Sequence, residues 1–177
     1  MQITLIRHGK VNMQWEKWYT SKQFDIACES YDVSSIYPID AKAEVLANTV
    51  YISTLSRSRL TAEQLFGEMT FIKTALLNEV PLKSFFDCKI PLPLWMWNVG
   101  GRLQWLWQSS RQIECRRDTQ KRARCLIGQL QETDGDCVLV SHGFYMRTLI
   151  KELKKQGFVV SQSGLNISNL ATIIAEK

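Results

Sequence analysis

The chain opens with Ile3-Thr4-Leu5-Ile6-Arg7-His8-Gly9, and much later carries Cys137-Val138-Leu139-Val140-Ser141-His142-Gly143. Each stretch is an apolar-leaning run of four, then a polar residue, then His-Gly. Together they hold the only two histidines of the chain. A short apolar run stopped by glycine reads as a buried strand with a turn at its end. Gly9 permits such a turn and lets backbone come close to a ligand. The two imidazoles are therefore expected at strand ends, facing each other across one pocket.

Working outward, residues 10 to 37 show no clear period and read as a long loop with at most a short helical piece. Pro38 opens a short helix candidate with Ala41, Val45 and Leu46 on one side. Val50 to Ser53 is a second strand, and Thr54-Leu55-Ser56 turns it into a helix. Ala62, Leu65, Phe66 and Met69 repeat there at i, i+3, i+4, i+7, the stripe of a helix lying on a core. Phe71 to Lys73 is a short strand. Ser110 to Glu132 reads as helix, with Ala123, Leu126, Ile127 and Leu130 on its buried stripe. Thr133 to Asp136 is a turn before the strand from Cys137 to Val140. The helix after Gly143 buries Met146, Leu149, Ile150 and Leu153, and Gly157 ends it. Leu170 to Ala175 is the last strand candidate.

Strands alternating with helical patterns define an α/β domain with a mostly parallel central sheet. In such sheets ligands bind at the carboxyl ends of strands. Arg7, His8, the Ser53 to Arg57 turn, Ser141 and His142 all fall at such ends.

A chain of 177 residues with 45% hydrophobic and 22% charged content fits one globular domain, residues 1 to 177, with a real core. No apolar run approaches the ~20 residues of a membrane span, and Arg7 and His8 interrupt any signal-peptide pattern. The five cysteines are an odd number without CxxC spacing. They read as reduced thiols in a cytoplasmic protein rather than as disulfides or a zinc site. A formal net charge of +5 suits anionic partners, or is a basic surface without specific meaning.

Arg57 lies at the first turn of its helix, where a cation opposes the helix dipole. A residue that breaks a local rule is a site candidate if it grips an anion, and otherwise an exposed arginine. Glu79 lies between apolar residues and Pro81. It is either partly desolvated, which favours its protonated form, or an ordinary loop carboxylate. Residues 85 to 108 carry Trp95, Trp97, Trp105 and Trp107 around Gly100-Gly101, and read as a lid over a pocket, as core, or as a dimer patch. Their arginines form no run and no RNA-binding signature is present, so no nucleic-acid partner is expected. The basic first half of the 110 to 132 helix reads as a solvated face.

Two imidazoles and two arginines suit phosphoryl chemistry. Arginine forks match phosphoryl oxygens. A neutral imidazole can take a phosphoryl group onto nitrogen, and a second, protonated one can stabilise its charge. A carboxylic acid can protonate the departing alkoxide. Two histidines beside arginines are poor metal ligands, so no metal is expected.

Arg7-His8-Gly9 after an N-terminal strand resembles the signature of the histidine phosphatase superfamily, which includes the cofactor-dependent phosphoglycerate mutases. Ser53-Thr54-Leu55-Ser56-Arg57-Ser58-Arg59-Leu60-Thr61-Ala62 is similar to that family's SxLxRAxxTA segment. Leu77-Asn78-Glu79 resembles its acid-bearing segment, and Val138 to Gly143 its second histidine motif. The resemblance implies a three-layer α/β/α fold, no metal and no cofactor. It implies His8 as the phosphorylated nucleophile, Arg7, Arg57 and His142 around the phosphate, and Glu79 as proton donor. Gln14, where the family commonly has Asn, and Gly143 would complete the substrate-binding set. The chain departs from the family at Lys10-Val11 after the glycine and in lacking the Gly-rich acidic stretch after the acid. The implied activity is phosphomonoester hydrolysis through a phosphohistidine. The alternatives are a phosphomutase on a small phosphorylated metabolite and a non-catalytic phosphate-ligand-binding or regulatory protein. A small phosphorylated substrate or a phosphoprotein would be the partner; no membrane partner is expected and the oligomeric state is left open.

Overall fold

A computed structural model describes residues 1–40, 42, 49–133, 135–162 and 166–177. Strand β1 (Gln2–Arg7) is followed by β2 (Trp18–Tyr19) and helix α1 (Ser21–Val33). Strand β3 (Thr49–Ile52), helix α2 (Ser56–Phe66) and strand β4 (Phe71–Lys73) come next. A 3₁₀ turn, Ala75–Leu77, precedes β5 (Leu92–Pro93), α3 (Leu94–Leu106) and α4 (Arg116–Thr133). The chain ends with β6 (Cys137–Ser141), α5 (Gly143–Lys155), β7 (Val159–Val160) and β8 (Thr172–Glu176).

The central sheet has six strands in the order β4-β3-β6-β1-β8-β7. The β1–β6, β3–β6 and β3–β4 pairings are parallel, while β8 runs antiparallel to β1 and β7. Side chains alternate across a strand, so each central strand feeds two cores. Ile3, Leu5, Cys137 and Leu139 pack with Ala123, Leu126, Ile127, Met146, Leu149 and Leu153 of α4 and α5. Ile6, Val138, Val140, Val50 and Ile52 pack with Ala62 and Leu65 of α2 on the other face. This is the expected three-layer α/β/α arrangement.

A third cluster stands apart from the sheet. Phe24 and Ala27 of α1, Tyr19 of β2 and Trp97 of α3 form its buried centre. Phe24 and Phe86 stack on Trp97 with ring centroids 5.7 and 5.6 Å away, and its indole N–H donates to Tyr19 O at 2.8 Å. The four tryptophans of the 85 to 108 segment therefore divide. Trp97 is core and Trp105 packs edge-on against Phe144, whereas Trp95 and Trp107 are 64% and 70% exposed.

Several expectations are corrected. Residues 10 to 37 are not mainly loop, because α1 occupies thirteen of them. Its signal is local: Thr20 and Gln23 form a reciprocal capping box, which satisfies two N–H groups at the helix start. The helix expected from Ser110 starts at Arg116, where Asp118 accepts the Cys115 N–H. The upstream residues are held elsewhere, with Arg111 donating to Ser84 O and to Asp87. Leu170 has φ 61° and lies outside the last strand, which begins at Thr172. The short β7 had no sequence signal of its own. Gly157 has φ +89° just past α5, as its placement after the helix implied. Gly9 has no positive φ among the described residues, and its Cα instead lies against Ile36 and Ile39. The helix candidate after Pro38 and the Asp134 part of the following turn lie outside the described residues.

Gly100 faces the third cluster, where an added Cβ would lie 2.4–2.8 Å from ring atoms of Phe85. That ring is held between Phe86 and Trp97, at 4.7 and 5.1 Å between centroids, and has little room to move. Gly100→Ala is expected to destabilise the protein by about 1–3 kcal/mol, read as a lower urea midpoint at unchanged slope.

Candidate functional site

The site is built by strand register. Parallel pairing sets Ile6 opposite Val140 and Arg7 opposite Ser141. One step further, where both chains leave the sheet, His8 stands beside His142, with ring centroids 5.0 Å apart. On the other side of β6, Ile52 pairs with Val140, so Ser53 arrives at the same level. Both imidazoles are buried, His8 being 2% exposed and His142 fully covered, but their neighbours are polar.

The hydrogen bonds fix both tautomers. His8 Nδ1 lies 2.7 Å from Gly9 O, which can only accept, so Nδ1 carries the proton and Nε2 keeps its lone pair. Arg57 Nε donates to His142 Nδ1 at 3.1 Å. That nitrogen is therefore unprotonated, and His142 Nε2–H donates to Ser53 Oγ at 2.7 Å. Burial first, then the Arg57 and Arg7 charges, pull the His8 pKa down to about 3, although its bond to Gly9 opposes this. Burial and Arg57 likewise hold His142 well below the ordinary histidine range. With the Arg57 Nε–H aimed at its Nδ1, His142 is placed to accept from a guanidinium.

Arg57 is 1% exposed and is not the solvent-facing arginine that a surface helix would carry. Its unfavourable place at the start of α2 is offset by specific partners. Nε reaches His142, Nη1 reaches Asp32 Oδ1 at 2.9 Å, and the Tyr31 ring lies 4.9 Å away. Thr61 Oγ1 accepts the Gly9 N–H at 2.8 Å and donates to Arg57 O at 2.6 Å, tying the two histidine-bearing and arginine-bearing turns together. Ser58 Oγ accepts from Ser53 N and donates to Val140 O.

Arg7 donates through Nη1 to Ile167 O, while its Nε is buried without a partner among the described residues. An orphaned buried donor is costly unless a ligand answers it. An added Cβ on Gly143 would lie 2.9 Å from that Nε, so this glycine leaves room for the guanidinium. Glu79, open between a partly desolvated acid and an ordinary loop carboxylate, is half-buried among backbone donors. Its Oε1 accepts from Val80 N and Tyr145 N at 2.9 and 2.8 Å, and Oε2 from Phe144 N at 3.2 Å. The carboxylate sits at the N-terminus of α5, where backbone N–H groups lack partners of their own.

A cavity of about 790 Å³ opens beside these groups. Arg57 and Glu79 line it, with Trp15, Tyr31 and Asp32 from the α1 side and Asn98 and Arg102 from α3. Gln14 is exposed and, like Arg7, His8 and His142, is not among the residues that line this cavity. Sequence reading missed Asp32, which has no local signal, since its meaning depends on where α1 docks. It also missed the buried role of Arg122, read as part of a solvated face. Arg122 pairs with Glu114 at 3.0 Å and donates to Asn78 O at 2.7 Å, which fastens α4 to the Glu79 segment.

Paired imidazoles between arginines at the carboxyl ends of parallel strands have the chemistry to receive a phosphoryl group. Residues 3–174 match the family model of the histidine phosphatase superfamily, branch 1. The chain belongs to that family. No curated protein matches significantly. A mycobacterial glucosyl-3-phosphoglycerate phosphatase has the same fold, with TM-score 0.62 and 18% identity over 98% of this chain and 88% of its own. Phosphoserine phosphatase from Entamoeba histolytica, bound to phosphoserine, gives TM-score 0.55 and 16% identity over 98% and 89%. A phosphoglycerate mutase from Bacillus anthracis gives 0.59 and 18% over 98% and 86%. Among the described residues no helix is long and apolar enough to cross a membrane.

Two outcomes follow for the site. The ring resonances of His8 and His142 are expected not to titrate between pH 8 and 5 in NMR spectra. Below pH 6.5 the unfolded chain binds protons that the folded chain refuses. Stability present at neutral pH is therefore lost as pH falls below 6.5, toward 3 for His8, where the slope reaches at most about 1.4 kcal/mol per pH unit. Thermal unfolding at stepped pH reads this, and His142→Asn should flatten the slope. Separately, Asp32→Asn removes a carboxylate from Arg57 Nη1. It is expected to tighten orthovanadate binding about three- to tenfold, because the oxyanion no longer competes with a half-exposed anion.

Proposed function

We propose that the chain is a phosphomonoesterase that works through a phosphohistidine, with His8 as nucleophile. The carrying observation is the His8 tautomer, since the bond from Nδ1 to Gly9 O leaves the Nε2 lone pair available. Burial and the neighbouring arginines keep that ring neutral, as a nitrogen nucleophile must be.

In the first step His8 Nε2 attacks phosphorus, the N–P bond forms, and the bond to the ester oxygen breaks. Arg7 and Arg57 supply N–H donors to the phosphoryl oxygens, and the orphaned Arg7 Nε gains its acceptor. Glu79, as the acid, gives its proton to the departing alkoxide. Oε2, held by a single 3.2 Å bond, is the freer oxygen for this. In the second step water attacks phosphorus, the N–P bond breaks, and Glu79 recovers a proton from that water. His142 acts through Arg57: its Nδ1 takes the Nε–H and so sets the plane of the guanidinium fork.

Small phosphorylated molecules are the substrates this reading favours, because the cavity is recessed between α1 and α3. The segment of residues 85 to 108 serves as a wall of that cavity through α3. The five free thiols suit a reducing compartment such as the cytoplasm.

The test is hydrolysis of p-nitrophenyl phosphate. His8→Ala is expected to lose at least about a thousandfold in kcat/KM and to trap no acid-labile phosphoprotein, whereas wild type does both. Glu79→Gln is expected to retain trapping with a good leaving group and to lose activity on alkyl phosphates, about a hundredfold or more. Equal rates for wild type and His8→Ala would overturn the reading.

A further inference from the structure

Arg122 of α4 lines the cavity together with Glu79, yet it is not free to hold a substrate. Nη1 donates to Leu76 O at 2.9 Å and to Asn78 O at 2.7 Å. Nη2 donates to Glu114 Oε1 and Oε2, both at 3.0 Å, and Nε to Oε1 at 3.4 Å. A guanidinium has five N–H groups, and here each has an acceptor within the chain. Arg7 is the opposite case, with a buried Nε that has no partner among the described residues. The Arg122–Glu114 pair is also recessed, its side chains 16% and 15% exposed, so both charges have given up most of their water for this arrangement.

The pair holds the frame of Glu79 at two points. The first is backbone. Asn78 O belongs to the peptide unit that leads into Glu79, and Leu76 O lies in the 3₁₀ turn just before it. The second is a donor to the carboxylate. The Arg122 guanidinium lies over the Tyr145 ring, 4.2 Å from its centroid, and Tyr145 N donates to Glu79 Oε1 at 2.8 Å. The sheet side of the same segment is tied separately: Ser141 Oγ donates to Leu77 O, and Thr54 N to Asn78 Oδ1. Those bonds fix the segment to β6 and to the turn after β3, but they do not reach the Asn78 carbonyl, which Arg122 holds. A carboxyl group that must meet an ester oxygen tolerates little displacement, since a misplacement of about 1 Å costs on the order of a hundredfold in rate.

We propose that Arg122, aimed by Glu114, is the positioning residue of the acid: it sets where Glu79 stands relative to the departing oxygen and does not touch substrate itself. This rests on the phosphomonoesterase reading, with Glu79 as proton donor, and adds to it a control carried by α4, away from the strands that deliver the histidines. Its loss is felt where proton donation matters. An ester whose alkoxide needs a proton suffers, and one whose anion leaves unaided is spared.

The test reads kcat/KM, which covers the steps through loss of the alcohol and so isolates the one that Glu79 serves. It would be measured for phenethyl phosphate and for p-nitrophenyl phosphate, and the alkyl-to-aryl ratio compared between variants. Arg122→Gln combined with Glu114→Gln removes both charges together and leaves neither unpaired. In that protein the ratio is expected to fall about thirtyfold or more. Arg122→Lys keeps the charge and loses the fork, and should lower the ratio about three- to tenfold. It carries the test if the double variant does not fold. In a Glu79→Gln background the same substitutions should change the ratio by less than about threefold, because the group they position is gone. Equal losses on both esters, the mark of a merely structural role, would overturn the proposal, as would a full further loss in the Glu79→Gln background. Glu79→Gln alone separates the two readings. If it lowers the ratio and the Arg122 variants do not, the positioning role fails by itself; if it leaves the ratio unchanged, the acid assignment fails and the proposal with it.

Discussion

The two imidazoles meet because β1 and β6 run parallel in a register that sets Arg7 opposite Ser141. Nothing in either side chain brings them together. Backbone bonds evenly spaced along two buried strands decide that both chains leave the sheet at one level. A slip of one residue would turn His8 and the core residues before it to the opposite faces. The register is held firmly, since Ile3, Leu5 and Leu139 on one face and Val138 and Val140 on the other are almost fully buried. The core that stabilises the fold and the geometry that positions the site are therefore the same set of contacts.

Charge is arranged in a second layer upon that geometry. Two arginines close to two imidazoles would be unfavourable if either ring were protonated, and burial makes protonation more costly still. Neutral rings can accept from guanidinium groups instead of repelling them, as His142 does from Arg57. The cluster keeps a net positive field for an incoming anion, and among the described residues one of its fully buried side-chain nitrogens has no partner. The exception, Arg7 Nε, is next to a glycine whose missing side chain makes the space.

How much of this could be read from the chain alone follows from the range of the interactions involved. The parallel strands, α2, α5 and the pairing of His8 with His142 were legible because apolar runs and His-Gly ends are local patterns. Arg57 was legible as a violation of the helix-dipole rule, but its burial was not, since burial depends on α1 closing over it. Helix α1 was missed although Thr20 and Gln23 announce it, because Phe24 and Ala27 leave its buried face too narrow for a clear period. Asp32, Arg102 and Arg122 carry meaning only through contacts across 22 to 46 residues of sequence or through a shared cavity.

The separation of the aromatic cluster around Trp97 from the two cores on the sheet has a consequence for how such an enzyme can diversify. Asn98 and Arg102 are borne by a helix that packs through Trp97 on Phe24, Phe85 and Tyr19, none of them on a strand that delivers a histidine. Exchanges along α3 can recast what the leaving group meets while the phosphorus-handling end keeps its alignment.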